Sequence, residues 1–104
     1  MLFLNHPLVR SYYLKHGRVF TLRAKRRKRD GLQALVQGNR FKHRPVGRGI
    51  VVLAREFKAL TPRGLAGFVR RSGFKSSKEW IEAYVQINGG KLLQPIYLYE
   101  VLKA

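Results

Sequence analysis

The chain contains no cysteine. That excludes a disulfide framework, a Cys-ligated zinc site and a thiol nucleophile. Histidine is scarce, and His6, His16 and His43 show no metal-ligand spacing, so neither a metal nor a cofactor is expected. Acidic residues are few: 5 Asp and Glu stand against 22 Lys and Arg in 104 residues, a formal net charge of +17. No apolar run approaches the roughly 20 residues that span a bilayer. The opening Met1 to Val9 is short for a signal peptide and lacks a basic leading segment. These absences predict a small cytoplasmic domain with no membrane partner. What is present suffices for a core: 45% of the residues are hydrophobic, with 12 aromatics, within a length that suits a single domain over residues 1–104.

The positive charge is unevenly placed. Thirteen of the bases lie between Arg10 and Arg48, where Asp30 is the only acid, so that stretch carries +12. The remaining nine share the rest of the chain with four glutamates, for +5. Self-repulsion of this size opposes compaction, and a fold that tolerates it commonly meets a polyanion. Nucleic acid is the commonest, because each neutralised phosphate releases condensed counterions. RNA is therefore the expected partner, with DNA as a second choice. A generic solvated basic surface is the plainer alternative. An anionic membrane fits less well, because the run Lys25-Arg-Arg-Lys-Arg29 lacks interleaved Leu or Phe.

The local patterns order the elements. Met1 to Leu4 reads as a short strand. Asn5 or His6 then caps a helix with Pro7 at its first position, and Gly17 closes it. Val19 to Ala24 reads as a strand with Phe20, Leu22 and Ala24 on one face and Val19, Thr21 and Arg23 on the other. Lys25 to Asp30 reads as a charged turn. Gly31 to Gly38 is ambiguous between helix and strand, and its bounding glycines and short length favour a strand. Asn39 to Gly49 reads as a basic loop, and Ile50 to Leu60 as the strongest strand. Thr61-Pro62 starts a helix that runs to Ser72-Gly73. Ser76, with Glu79 three residues on, starts another that stops at Asn88-Gly-Gly90. Pro95 to Leu102 closes the chain as an apolar strand. One long mixed sheet with few helices predicts an α+β fold, curled into a five-stranded open pseudo-barrel.

This order resembles the ASCH domain family of the PUA-like superfold. The resemblance rests on a helix ending in Gly, a strand that opens on a basic residue and reaches Arg five positions later, and the segment Ser72-Gly-Phe-Lys-Ser-Ser-Lys-Glu-Trp-Ile81. The family signature is Gly-x-Lys-x-x-x-x-Arg. Here Arg18 stands for its Lys and Arg23 for its Arg, while His16 occupies the Gly position and Gly17 follows one place late. Another register, over Gly38-Asn-Arg40 with Arg44, has the wrong step. The resemblance implies an RNA-associated pseudo-barrel with one N-terminal helix and two helices before the last strand. Some members act as small amidohydrolases through a Lys, a Thr and a Glu, which would here be Arg18, Thr21 and Glu56.

An arginine in the lysine position cannot lose its proton near neutral pH, so it would orient or stabilise rather than act as a base. Arg18 and Arg23 differ by an odd number, so they meet in one cleft only if Arg18 precedes the strand. They would then hold an anionic group with their guanidinium forks. Alternatively, Arg23 pairs with Glu56 or Glu100 across the sheet. The candidate nucleic-acid contacts are Arg18, Arg23, Lys25, Arg26, Arg27, Arg29, Arg40, Lys42, Arg44 and Arg48. The 25–29 and 40–48 groups are expected on one rim if their strands are sequential neighbours. Exposed aromatics, Phe41 foremost, would stack unpaired bases. Trp80, Phe68, Phe74, Tyr84, Tyr97 and Tyr99 are assigned to packing. The rival reading is a small hydrolase acting on an anionic or nucleoside-like substrate, with Thr21 and Glu56 as its catalytic residues.

Overall fold

The structure, a computed structural model, describes residues 1–104. In chain order the elements are β1 (Leu2–Phe3), α1 (Pro7–His16), β2 (Arg18–Arg23), β3 (Gly31–Gly38), β4 (His43–Phe57), α2 (Pro62–Leu65), α3 (Ser77–Ile87) and β5 (Ile96–Lys103). A 3₁₀ turn at Val69–Arg71 lies between the last two helices. The strands form one mixed sheet in the order β1-β3-β4-β5-β2, in which only β1 and β3 run parallel. This is the expected α+β arrangement, curled into a half-barrel.

The curl originates in β4. Its first part pairs with β3 and its second with β5, and the register shifts at Leu35/Val36 and again at Leu53/Arg55. Bulges of this kind bend a strand and increase its twist. The expected loop over 39–49 is therefore mostly strand, because pairing with β3 extends β4 back to His43. Pro45 sits beside the first register shift, where its missing N–H is tolerated. At its other end β4 stops at Phe57, short of the predicted Leu60. The helix predicted from Thr61 to Ser72 is broken: Thr61 Oγ1 caps a single turn by accepting from the Gly64 N–H, and the chain resumes as the 3₁₀ turn.

Two apolar clusters lie on opposite faces of β5 and β2. Inside the curl, Leu2, Leu4, Val9, Tyr13, Val19, Leu35, Val51, Tyr99 and Val101 pack under α1. On the other face, Leu22, Phe57, Leu60, Leu65, Trp80, Tyr84, Ile96 and Leu98 pack under α2 and α3. Burial on both faces explains why β5 reads as a nearly continuous apolar run. The sheet order leaves β1 and β2 as open edges. Arg23, the last residue of β2, reaches across and donates from Nη2 to the Phe3 carbonyl of β1 at 2.7 Å. A side chain thus joins two strands that share no backbone ladder.

Candidate functional site

The gap between those two edges is the more enclosed of two adjoining recesses. It is a cleft of about 450 Å³ whose wall on one side is α3. Phe3, Leu4, Val9, Leu22, Phe74, Trp80 and Tyr84 make it mostly apolar, and Asn5, His6, Thr21, Arg23 and Asn88 supply its polar groups. The Tyr84 hydroxyl donates to the Leu93 carbonyl at 3.0 Å, and burial pushes the phenol above its ordinary pKa.

A second, shallower depression adjoins the first. It is lined by Met1, Leu32, Gln33, Leu93, Arg48 and the whole run from Arg23 to Arg29, and it shares Arg23, Ala24 and Asn88 with the cleft. The 25–29 loop that forms it is held in place from several directions. The Arg27 N–H donates to the Tyr99 hydroxyl at 2.7 Å, and Arg27 Nη2 donates to the Met1 carbonyl and to Gln33 Oε1, each at 2.6 Å. Gln33 Nε2 in turn donates to the Arg29 carbonyl at 3.1 Å. Asp30 spends its carboxylate on the Leu53 N–H, so the only acid near the run neutralises none of its cations.

Arg23 sits where cleft and groove meet. Its pKa is lowered to about 10, first by burial and then by the adjacent Arg27 cation, with Tyr99 acting in the opposite direction. It stays charged at neutral pH. The Nε atoms of both Arg23 and Arg27 are buried without a hydrogen-bond partner. Two neighbouring half-buried guanidinium groups, neither facing a carboxylate, form a local excess of positive charge that an anion would offset.

Several sequence-based expectations are corrected by this geometry. Arg18 is the first residue of β2 rather than part of the preceding turn, so alternation separates it from Arg23. It forms an ion pair with Glu100, the only ion pair in the chain, and does not line the cleft. The cross-sheet pairing foreseen for Arg23 therefore belongs to Arg18. Glu56 is exposed on β4, outside the cleft, and Thr21, although buried within it, has neither Arg18 nor Glu56 beside it. The hydrolase set does not converge. The two basic groups do not share a rim either, because β2 and β3 are not neighbours in the sheet. The 25–29 loop meets the start of β3 at Gly31, while Arg40 and Lys42 lie beyond its other end at Gly38, and Arg44 pairs with Gln37 next to it. Arg48 alone crosses over: paired in register with Ala34, it lines the basic groove.

The aromatic assignments to packing hold for Trp80, Tyr84 and Tyr99, all buried, and Phe68, Phe74 and Tyr97 pack against the two clusters. Sequence reasoning missed the cleft's polar rim from Asn5 and His6. The signal was there in the Asn5-His-Pro7 cap, but which of the two residues capped the helix was open. His6 does so: its Nδ1 accepts the Leu8 N–H at 3.2 Å. Asn5 instead spans to the β3–β4 turn, donating from Nδ2 to the Gly38 carbonyl and accepting the Gly38 N–H at Oδ1, both at 2.8 Å. No helix is long and apolar enough to cross a membrane. Comparison with protein-family models, with curated proteins and with solved structures gives no match.

Proposed function

We propose that this protein is a nucleic-acid-binding module, with RNA its preferred ligand, as the ASCH resemblance also implies. One observation carries the reading. The groove lined by Lys25, Arg26, Arg27, Lys28, Arg29 and Arg48 runs into the apolar cleft at Arg23, where two half-buried guanidinium groups have no acid beside them. A chain of phosphates lying in the groove supplies the missing negative charge, and a phosphate or base at the Arg23 junction meets both an ionic and an apolar wall. Of 22 basic side chains only Arg18 is in an ion pair, which leaves the field free to attract a polyanion.

Binding of this kind is dominated by counterion release, so affinity falls with salt. Contact with about six phosphates gives a slope of log K against log salt of about −4 to −5. Titrating a labelled RNA stem-loop at two salt concentrations measures it. Equal affinity at both would refute the reading. Replacing Arg26, Lys28 and Arg29 by Glu should weaken binding broadly and flatten the slope. Arg27 is left intact in that variant because its bonds to Met1 and Gln33 hold the loop.

A further inference from the structure

The β3–β4 turn, at the opposite end of β3 from the basic groove, is built to present one aromatic ring. Phe41 is 90% exposed, the most exposed large hydrophobic side chain in the molecule. Single exposed apolar side chains are common; this one is set apart by the hydrogen-bonded turn it stands on and by the cations around it. The turn beneath it is held by hydrogen bonds. Asn39 Oδ1 accepts the N–H groups of both Phe41 and Lys42 at 2.9 Å, and the Asn39 N–H donates to the Lys42 carbonyl at 2.9 Å. Below that, Asn5 grips both polar groups of Gly38. The Arg40 guanidinium carbon lies 5.7 Å from the centre of the Phe41 ring, within cation–π range. Lys42, His43 and Arg44 follow in sequence, all exposed, and no acid occurs between Gly31 and Arg55.

We infer that this turn is a preformed aromatic wedge, on which an unpaired RNA base stacks against Phe41 while Arg40, Lys42 and Arg44 hold the flanking phosphates. The inference rests on the nucleic-acid-binding reading and adds to it a second contact site, remote from the groove. The occupant follows from the chemistry. A single exposed ring surrounded by cations suits a π-face carried on an anionic chain. A lipid surface would instead call for several exposed apolar residues together. Because the turn is already hydrogen-bonded before binding, less ordering entropy is lost when the base arrives.

The test uses the full chain with F41W, F41L and F41A, all at an exposed position where folding is unaffected. In F41W the new indole reports alone on the surface, since Trp80 is buried. The probes are a single-stranded 12-mer oligouridylate and a 12-mer abasic sugar–phosphate strand of equal charge. Stacking of one base supports an expected loss of about tenfold in affinity for the oligouridylate in F41A and F41L. The slope of affinity against salt should stay as in the unmodified chain, because no phosphate contact is removed. F41W emission should be quenched by the oligouridylate and unchanged by the abasic strand. Salt-dependent binding that F41A leaves intact would overturn the wedge while the groove reading survives. The wedge is equally overturned if F41W responds alike to both strands, or responds to phosphatidylserine vesicles but not to RNA. Failure of the unmodified chain to bind RNA at low salt would sink both.

Discussion

At the start of α1, one imidazole nitrogen is needed as an acceptor. His6 Nδ1 takes the Leu8 N–H and so satisfies one of the donors that every helix leaves free at its N-terminus. A protonated ring has no lone pair there. Burial lowers the pKa of His6 below 6.5, and the Arg10 cation lowers it further. In the window between 6.5 and that lowered value the unfolded chain binds more protons than the folded one. This contribution to stability is therefore complete above 6.5 and is lost as pH falls through the folded-state value. Thermal melts from pH 7.5 to 5 should show Tm falling with acid, and His6→Asn, which caps without titrating, should flatten that dependence. An unchanged slope in His6→Asn would refute the cap's role. At this scale the sequence was informative wherever the chemistry is local. Asn5-His-Pro7, Thr61-Pro62 and Ser76 with Glu79 are caps set by neighbours within a few residues, and Ser76 Oγ does accept the Glu79 N–H at 3.2 Å. The partners of Arg18 and Arg23 were not legible, because Glu100 lies on the neighbouring strand β5 and the Phe3 carbonyl across the gap on β1, so both depend on which strands come together.

The β3–β4 hairpin shows how an element is made by pairing rather than by propensity. Gly38 adopts φ +119°, and a Cβ there would lie 2.4 Å from the Lys42 carbonyl oxygen and 2.9 Å from His43 Cα. Both obstacles are backbone, so an added methyl has no easy relief. Gly31, at the other end of β3, has a similar φ of +115° with nothing within 4 Å of the same position. Both alanine variants bear the strain of positive φ, on the order of 1–3 kcal/mol, and Gly38→Ala also bears the clash. Urea unfolding should place Gly38→Ala below Gly31→Ala in midpoint, with the gap measuring the clash alone. Equal midpoints would show that the turn relaxes freely. The same hairpin explains the misread stretch from Asn39 to Gly49. Pro45, Gly47 and Gly49 are poor strand formers, and only the ladder to β3 makes the segment extended. By contrast, β2, β3 and β5 carried their own evidence in alternating or continuous apolar runs bounded by turn residues. The broken helix after Thr61 had no such signal, since Leu65, Phe68 and Val69 keep helical spacing through the break.

Across the whole molecule, the bases from Lys25 to Arg48 form two regions, the groove and the β3–β4 turn, at opposite ends of β3. Seven residue steps of about 3.4 Å part Gly31 from Gly38, roughly 24 Å. A nucleic-acid strand advances about 3.4 Å per nucleotide when stacked, so on the proposed reading about seven nucleotides would bridge the groove and the wedge, and fewer would if the strand were stretched. Below that length a ligand engages one region at a time. Above it the second contact becomes intramolecular, with an effective concentration set by the intervening strand, and affinity gains from both. Anisotropy titrations with oligouridylates of 4 to 16 nucleotides should therefore show a steep rise up to about eight nucleotides, followed by a shallow one that reflects only the added number of registers. F41A should lose the steep part and keep the shallow part. Replacing Arg26, Lys28 and Arg29 by Glu should lower the whole curve if, as proposed, the groove supplies most of the phosphate contacts at every length. A smooth increase with no change of slope, alike in the unmodified chain and F41A, would mean that the two regions never share a ligand. The hairpin cations would then be a separate surface.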